Sequence, residues 1–284
     1  MDFLFEFYYL PLDEWIQSTV LWLTSNLRPF FQAIKWPVAH ALEGIEHLLV
    51  TTSPSITLIA LILIIWQFAT LRIAIFSALA MIFLGFIGLW EETMTTLAII
   101  VTSVIFCIAI GIPLGIWSAR NDRVETIMRP ILDVMQTMPG FVYLIPVVML
   151  IGIGNISGVI VTIVFALPPV IRLTNLGIRE VRPDLIEAAY AFGSSPNQVL
   201  FKCQIPLAMK TIMAGVNQTL MLALSMVVIA ALIGAGGLGL TVYVALGRLD
   251  IGAAVVGGTG IVILAIILDR ITQKIIPQDN IKSR

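Results

Sequence analysis

The chain has 284 residues, of which 59% are hydrophobic and 12% are charged. Soluble domains carry about 25% charged residues, and a water-soluble fold of this size has too little interior to bury so many apolar side chains. Most of the chain is therefore predicted to lie in lipid. The formal net charge of -1 gives no sign of nucleic-acid binding.

The first segment, residues 1–53, is predicted to be an extracytoplasmic amphipathic segment. Apolar residues recur at helical spacing from Ile34 to Leu49, while Lys35 and Glu43 fall elsewhere on the helical wheel. This pattern predicts a helix that lies on a membrane surface or against the membrane spans. Packing of this helix on another subunit is the alternative. The histidines of this segment and the two cysteines of the chain are too scattered to predict a metal site or a disulfide.

Seven membrane spans are predicted. Residues 54–90 are almost wholly apolar except for Arg72, and this stretch is too long for one span of about 20 residues. It is predicted to form two spans with a turn at Arg72. Residues 91–272 form the predicted core domain and supply the other five spans, at residues 94–117, 131–153, 157–177, 211–234 and 250–268.

The basic residues predict the orientation in the membrane. With seven spans, thirteen of the sixteen Lys and Arg residues fall on one side, and the other side holds only Arg28, Lys35 and Arg248. Cytoplasmic loops carry the excess of basic residues. The amino terminus is therefore predicted to be outside the cell and the carboxy-terminal tail, residues 273–284, to be cytoplasmic.

A long cytoplasmic loop, residues 179–210, is the most informative part of the sequence. Pro183 suits the first turn of a helix, and Gly193 can end that helix in a left-handed conformation. Ser195 and Gln198 have the spacing of a capping box and predict a second short helix that runs toward Pro206. The result is a predicted pair of helices at the cytoplasmic face. Its apolar side is expected to pack against the ends of the spans, through residues Leu185, Ile186, Ala189 and Phe192.

This loop contains a motif that resembles the EAA motif of ABC importer permeases. The motif consists of Glu187-Ala188-Ala189, then Gly193, then Ile205-Pro206. Stretches such as DVMQTMPGFVYLIPVVMLIGIGN and MAGVNQTLMLALSMVVIAALIGAGGLG extend the likeness over residues 90–272, toward permeases of glycine betaine/proline ABC importers of the ProW type. The resemblance implies an all-α, polytopic type I ABC importer (MetI-like) permease fold. It also implies that the loop docks on an ATPase subunit and couples transport to ATP hydrolysis.

The resemblance also implies the partners and the location of the chain. It implies a homodimer of the permease in a bacterial inner membrane, two ATPase copies and an external substrate-binding protein. Because the sequence stops at Arg284, the binding protein is expected to be a separate polypeptide. ATP and Mg are expected on the ATPase, with no cofactor, metal or catalytic residue on this chain. The chain is thus expected to be a transport subunit and not an enzyme.

Four residues are candidates for lining the transport pathway. Asn217 and Gln218 lie well inside a predicted span, and interhelical hydrogen bonding is the alternative role for them. Phe141 and Tyr143 lie among prolines, which predicts either a broken helix beside a pathway or an ordinary kink.

Two other functions remain as alternatives. The same architecture could carry choline, carnitine or another amino acid. A carrier driven by an ion gradient usually keeps ionisable groups near the bilayer midplane, whereas Arg72, Asp133 and Arg172 fall at predicted span ends. The glycine-rich run Gly234–Gly239 has no following lysine, so it is not a P-loop.

Overall fold

The computed structural model describes residues 10–275, and within this range the chain is built from helices alone. The predicted segments 1–53 and 273–284 therefore lie partly outside the described residues. The α-helices are α1 Leu12–Asn26, α2 Arg28–Glu46, α3 Pro54–Phe68, α4 Leu71–Phe86, α5 Trp90–Arg120, α6 Asp122–Thr137, α7 Leu144–Ile151, α8 Asn155–Arg179, α9 Pro183–Ala191, α10 Pro196–Val199, α11 Ile205–Ala231, α12 Leu238–Arg248 and α13 Ile251–Ile275.

Four helices are long and apolar enough to cross a membrane: α5, α8, α13 and the continuous helix Pro196–Ala231 that contains α11. They contain the predicted spans at 94–117 and 157–177 in full and most of the other two. The main buried cluster joins α5, α8 and α11 through side chains such as Ile99, Val159 and Leu220. These helices form the core of the fold.

Glycines allow α5 and α8 to approach each other closely. A methyl group placed on Gly111 would lie 2.3 Å from Val170 Cγ1, and one placed on Gly115 would lie 2.5 Å from Thr174 Cβ. Both distances are well inside van der Waals contact. The four-residue spacing of these glycines puts them on the same face of α5, as in other closely packed membrane helices.

The amino-terminal helix α2 packs against the spans. Val38 and Leu42 are 3% and 1% exposed and belong to the main buried cluster. Lys35 Nζ donates a hydrogen bond of 3.1 Å to the carbonyl of Ile151, at the end of α7. Of the alternatives for this amphipathic helix, the structure therefore favours packing against the spans. The preceding helix α1 has no buried residue.

Residues 54–90 form two short helices, with the turn just before Arg72. Helices α3 and α4 have 15 and 16 residues, which corresponds to about 22 to 24 Å at 1.5 Å per residue. This length is less than the hydrocarbon thickness of about 30 Å. Helix α3 follows α2 after a π-helical turn, at an angle of 114°.

The span predicted at 131–153 is not one straight helix, and of the two alternatives for Phe141 and Tyr143 the structure shows the broken helix. The structure has instead an amphipathic helix α6, a one-turn 3₁₀ helix at Gly140–Tyr143 and the short helix α7, with a bend of 102° between the two parts. Proline at position 139 removes a backbone donor and ends α6. We refer to the segment from Met138 to Tyr143 as the helix break.

The structure also changes the count of spans. Residues 10–275 contain four long apolar helices, or up to six spans if each of the two bent pairs is one span, against the seven predicted. Helices α4 and α12 are apolar but shorter. The seven predicted spans do not include helix α12, which begins directly after the glycine-rich run.

Candidate functional site

The first helix of the loop 179–210, which the sequence predicts to be cytoplasmic, begins and ends where the sequence predicts. Helix α9 starts at Pro183, and Gly193 adopts a φ of 82°. The amide of Gly193 donates to the carbonyl of Tyr190 at 2.8 Å, and the amide of Ser194 donates to the carbonyl of Ala189 at 3.1 Å. These bonds satisfy carbonyls at the helix end, as glycine-terminated helices commonly do.

The predicted capping box is confirmed. The amide of Ser195 donates to Gln198 Oε1 at 2.8 Å, and the amide of Gln198 donates to Ser195 Oγ at 3.4 Å. The second helix does not stop near Pro206, however. It passes through a π-helical turn, Leu200–Gln204, and continues as α11, because Pro206 occupies the first turn of that helix, where a proline is tolerated.

Helix α9 leaves much of its apolar face exposed: Ile186 and Ala189 are partly buried, whereas the predicted packing of Leu185 and Phe192 against the spans is wrong. No residue of α9 is buried. Leu185 is 39% exposed, and Phe192, just after the helix, is 91% exposed. An exposed phenylalanine beside an exposed tyrosine, Tyr190, is a typical feature of a protein-binding surface.

The base of the loop is anchored against the long helices of the core. Leu200 is 2% exposed and packs in a buried cluster with Ile178, Ala208 and Ile212, and Ile205 packs against this cluster. The loop is thus fixed at both of its ends, at α8 and α11, while its tip is free. Among the motif residues, Glu187, Ala188, Gly193 and Pro206 are exposed, and Ala189 and Ile205 are partly buried.

Charged side chains connect the loop to neighbouring helices. Arg179, the last residue of α8, forms ion pairs with Asp122 at 2.7 Å and Glu125 at 3.1 Å, both in α6. It also donates to the carbonyl of Ser118 in α5 at 2.9 Å and to Asn175 Oδ1 at 2.9 Å. We refer to these five residues as the Arg179 network.

The loop also carries a local ion pair of its own. Arg182 donates two hydrogen bonds to Asp184, at 3.1 and 2.5 Å. The hydrogen bond from Arg182 lowers the pKa of Asp184 below its usual range. Asp184 also lies in the first turn of α9, where a negative charge favours the helix.

The helix break holds two of the candidate pathway residues in different environments. Phe141 is 58% exposed. Tyr143 Oη donates to the carbonyls of Met135 and Val134 at 3.1 and 3.3 Å and so ties the break to the last turn of α6. Next to Phe141, a methyl group placed on Gly140 would lie 3.1 Å from Met226 Sδ in α11. The break therefore rests on α11.

The other two candidates, Asn217 and Gln218, also lie in different environments. Asn217 Nδ2 donates to Asp269 Oδ1 at 3.2 Å, and Thr272 Oγ1 donates to Asn217 Oδ1 at 2.6 Å, so this side chain joins α11 to α13. Gln218 is exposed. It lies eight residues before Met226, or about 12 Å along the helix axis. The structure therefore does not bring Gln218 and Phe141 to the same depth.

The Arg179 network was missed by sequence reasoning, although the sequence contains a signal for it. Asn175 and Arg179 lie four residues apart on one face of α8, and Asp122 and Glu125 lie three residues apart on one face of α6. Opposite charges on two amphipathic segments suggest a pairing. Within residues 10–275, no group of three or more His, Cys, Asp or Glu side chains could hold a metal ion.

The comparisons with known proteins give the class of the chain. Residues 111–278 match the family described as "Binding-protein-dependent transport system inner membrane component". The match covers more than half of the chain, and the loop motif, the helix break and the core helices fall within it or border it. The chain belongs to this family.

Individual relatives in this family are permeases named for glycine betaine transport. The chain is 56% identical over 266 residues to the glycine betaine/proline betaine transport system permease protein ProW of Escherichia coli (strain K12). The aligned region covers 94% of this chain and 75% of that protein. It is 47% identical over 266 residues to the glycine betaine transport system permease protein OpuAB of Bacillus subtilis (strain 168), with 94% of each chain covered.

A solved structure supports the fold. A chain from the inward-facing MetNI methionine ABC transporter matches with a TM-score of 0.57 and 24% identity, covering 64% of this chain and 93% of that chain. The predicted all-α, MetI-like permease fold is confirmed. The chain is a membrane-embedded ABC importer permease subunit and not an enzyme.

Proposed function

We propose that this permease takes up glycine betaine and proline-type osmoprotectants, receiving them from a binding protein outside the cell. The family to which the chain belongs works with binding proteins. The 56% identity to a relative named for glycine betaine and proline betaine supports this substrate class. Both ligands are zwitterions with a quaternary ammonium group, so they carry no net charge into the bilayer.

The exposed helix α9 supports a docking role for the loop 179–210. A helix with no buried residue, followed by a phenylalanine that is 91% exposed, needs a partner to cover it. We propose that an ATPase subunit covers it, with Glu187, Ala188, Ala189 and Gly193 at the contact and Ile205 and Pro206 fixing the base. This surface is the observation that carries the proposal of ATP-driven transport.

The proposed assembly has two copies of the permease and two of the ATPase, which holds ATP and Mg. The amino terminus lies outside the cell and the carboxy terminus in the cytoplasm. Phe141 and Gln218 are exposed in the single chain, and polar groups facing lipid are costly. We therefore assign Gln218 to the pathway or to the contact between the two copies, and assign Phe141 to the pathway because it lies in the helix break.

Uptake into proteoliposomes tests this function. The permease, its ATPase and the binding protein are reconstituted together, and labelled glycine betaine is added outside with ATP inside. We expect uptake that requires both ATP and the binding protein, with proline betaine competing more strongly than choline, carnitine or an amino acid. Uptake driven by an ion gradient without ATP would support the carrier alternative instead.

A further inference from the structure

We refer to the loop 179–210 as the docking loop. The Arg179 network lies between this loop and the helix break. Arg179 precedes Pro183, the first residue of α9, by four positions. Its guanidinium binds Asp122 and Glu125 in the first turn of α6. The other end of α6 is Thr137, directly before the break. One side chain thus connects the base of the loop to the helix that leads to the break.

The ion pairs lie beside an open groove between α6 and α8. This groove of about 310 Å³ is lined by Ser118, Glu125, Asn175 and Arg179 of the network and by apolar side chains such as Met128, Leu132 and Ile171. Because the groove separates the two helices here, the ion pairs bridge a gap that side chains fill only in part. The paired groups are partly buried: the side chain of Arg179 is 33% exposed and that of Glu125 is 22% exposed.

The Glu125 carboxylate is also held from other directions. It accepts hydrogen bonds from Asn175 Nδ2 at 3.2 Å and from Arg129 at 3.0 Å. A second ion pair, between Arg172 and Asp133 at 2.7 Å, joins the same two helices closer to the break. Ion pairs therefore join α6 to α8 at the first turn of α6 and again at Asp133, in addition to the apolar contact made by the buried Leu132.

Movement of α6 reaches the break through Tyr143. Its hydroxyl binds the carbonyls of Val134 and Met135 in the last turn of α6. The break therefore follows the end of α6 and does not move independently of it. Since Gly140 rests on Met226, a shift of α6 changes the position of the exposed Phe141 relative to α11.

We propose that Arg179 is a positioning residue that transmits movement of the docking loop to α6 and, through α6, to the helix break beside the transport pathway. The proposal rests on the proposed function, because it requires an ATPase that moves the loop. Arg179 contacts neither substrate nor nucleotide. It determines how much transport each ATP hydrolysis produces.

The test measures glycine betaine taken up per ATP hydrolysed in the reconstituted complex. Arg179→Gln is expected to lower this ratio at least about fivefold, the lower end of typical coupling between sites, while the ATPase subunit still binds and hydrolyses ATP. Arg179→Lys keeps the charge and is expected to restore part of the ratio. Glu125→Gln, on the other helix, is expected to lower it, and the double variant is expected to be no worse than the more severe single variant.

Arg129→Gln is the matched control. It removes an ion pair to the same Glu125 carboxylate, but this pair lies within α6 and joins no other helix. We expect a ratio close to that of the unaltered protein. A normal ratio in Arg179→Gln, or an equal loss in Arg129→Gln, would overturn the proposal. If Arg179→Gln does not insert in the membrane, Arg179→Lys and Glu125→Gln decide the question by the same measure.

The two proposals fail in different ways. If the unaltered complex shows no ATP-dependent uptake of glycine betaine, the proposed function fails before any variant is compared. If the unaltered complex transports and the Arg179 and Glu125 variants transport equally well per ATP, only the role of Arg179 fails.

Discussion

Replacing Gly115 tests how closely α5 and α8 must pack. In Gly115→Ala the new methyl group would lie 2.5 Å from Thr174 Cβ and 2.8 Å from the carbonyl oxygen of Ile171. Ordinary carbon contacts are about 3.5 to 4.0 Å, so the helices must separate by about 1 Å. The backbone oxygen cannot rotate away as a flexible side chain would, so the strain spreads along both helices.

The expected cost is about 1 to 3 kcal/mol, as for other overpacked cores. For chains of 150 to 250 residues, 1 kcal/mol lowers the midpoint of thermal unfolding by about 2 to 4 °C, which predicts a fall of about 2 to 12 °C. Gly115 also lies one turn from Ser118, whose carbonyl binds Arg179. The separation should therefore loosen the Arg179 network as well and lower transport per ATP.

The assay is the thermal unfolding midpoint of the purified permease in detergent, compared with that of Gly258→Ala. Gly258 lies inside α13, and a methyl group there would have no atom of another helix within 4 Å. Alanine is favoured over glycine in a helix by about 1 kcal/mol, so this control should be as stable as the unaltered protein or more so. If Gly115→Ala unfolds at the unaltered midpoint, the close approach of α5 and α8 does not limit stability and the reasoning is wrong.

Three further predictions concern the site. Asn217→Leu leaves the Asp269 carboxylate without one of its donors and should cost about 1 to 3 kcal/mol. The measurement is the unfolding midpoint of the purified permease, which should fall, and an unchanged midpoint would contradict this. Tyr143→Phe removes the two bonds that tie the break to α6 and should lower transport per ATP without loss of membrane insertion; equal ratios for the two proteins would contradict this. Gly193→Val should uncouple ATP hydrolysis from uptake, because the left-handed conformation of residue 193 costs a non-glycine residue about 1 to 2 kcal/mol. Gly193→Asn should retain more coupling, since asparagine adopts this conformation more readily. Equal coupling in the two variants would contradict the role given to the backbone at this position.

Local sequence signals were sufficient for much of the fold. The long apolar runs predict α5, α8, α11 and α13, because each run exceeds the length of a span. The docking loop was also predictable in detail. The features that fix it, Pro183, Gly193 and the Ser195 capping box, act over three or four residues and depend little on the rest of the fold.

The features that were predicted only in part, or not at all, depend on contacts between distant residues. Residues 131–153 are apolar enough for one span, and the bend of 102° is supported by Gly140 on Met226 and by the hydroxyl of Tyr143. The hydropathy of the sequence does not predict these contacts. The exposed Phe192 was likewise misplaced, because an apolar residue is expected to pack within its own chain unless another chain covers it.

Crosslinking from the docking loop tests the central claim most directly. Ala188→Cys in a Cys203→Ser background, which removes the partly exposed native cysteine, is treated with a crosslinker in membranes that contain the assembled complex. Leu249→Cys, 88% exposed after α12, is the control on the predicted outer face. We predict that Ala188→Cys captures the ATPase and that Leu249→Cys does not. Labelling of Ala188→Cys by a membrane-impermeant reagent added outside the cell, with no ATPase captured, would contradict the account.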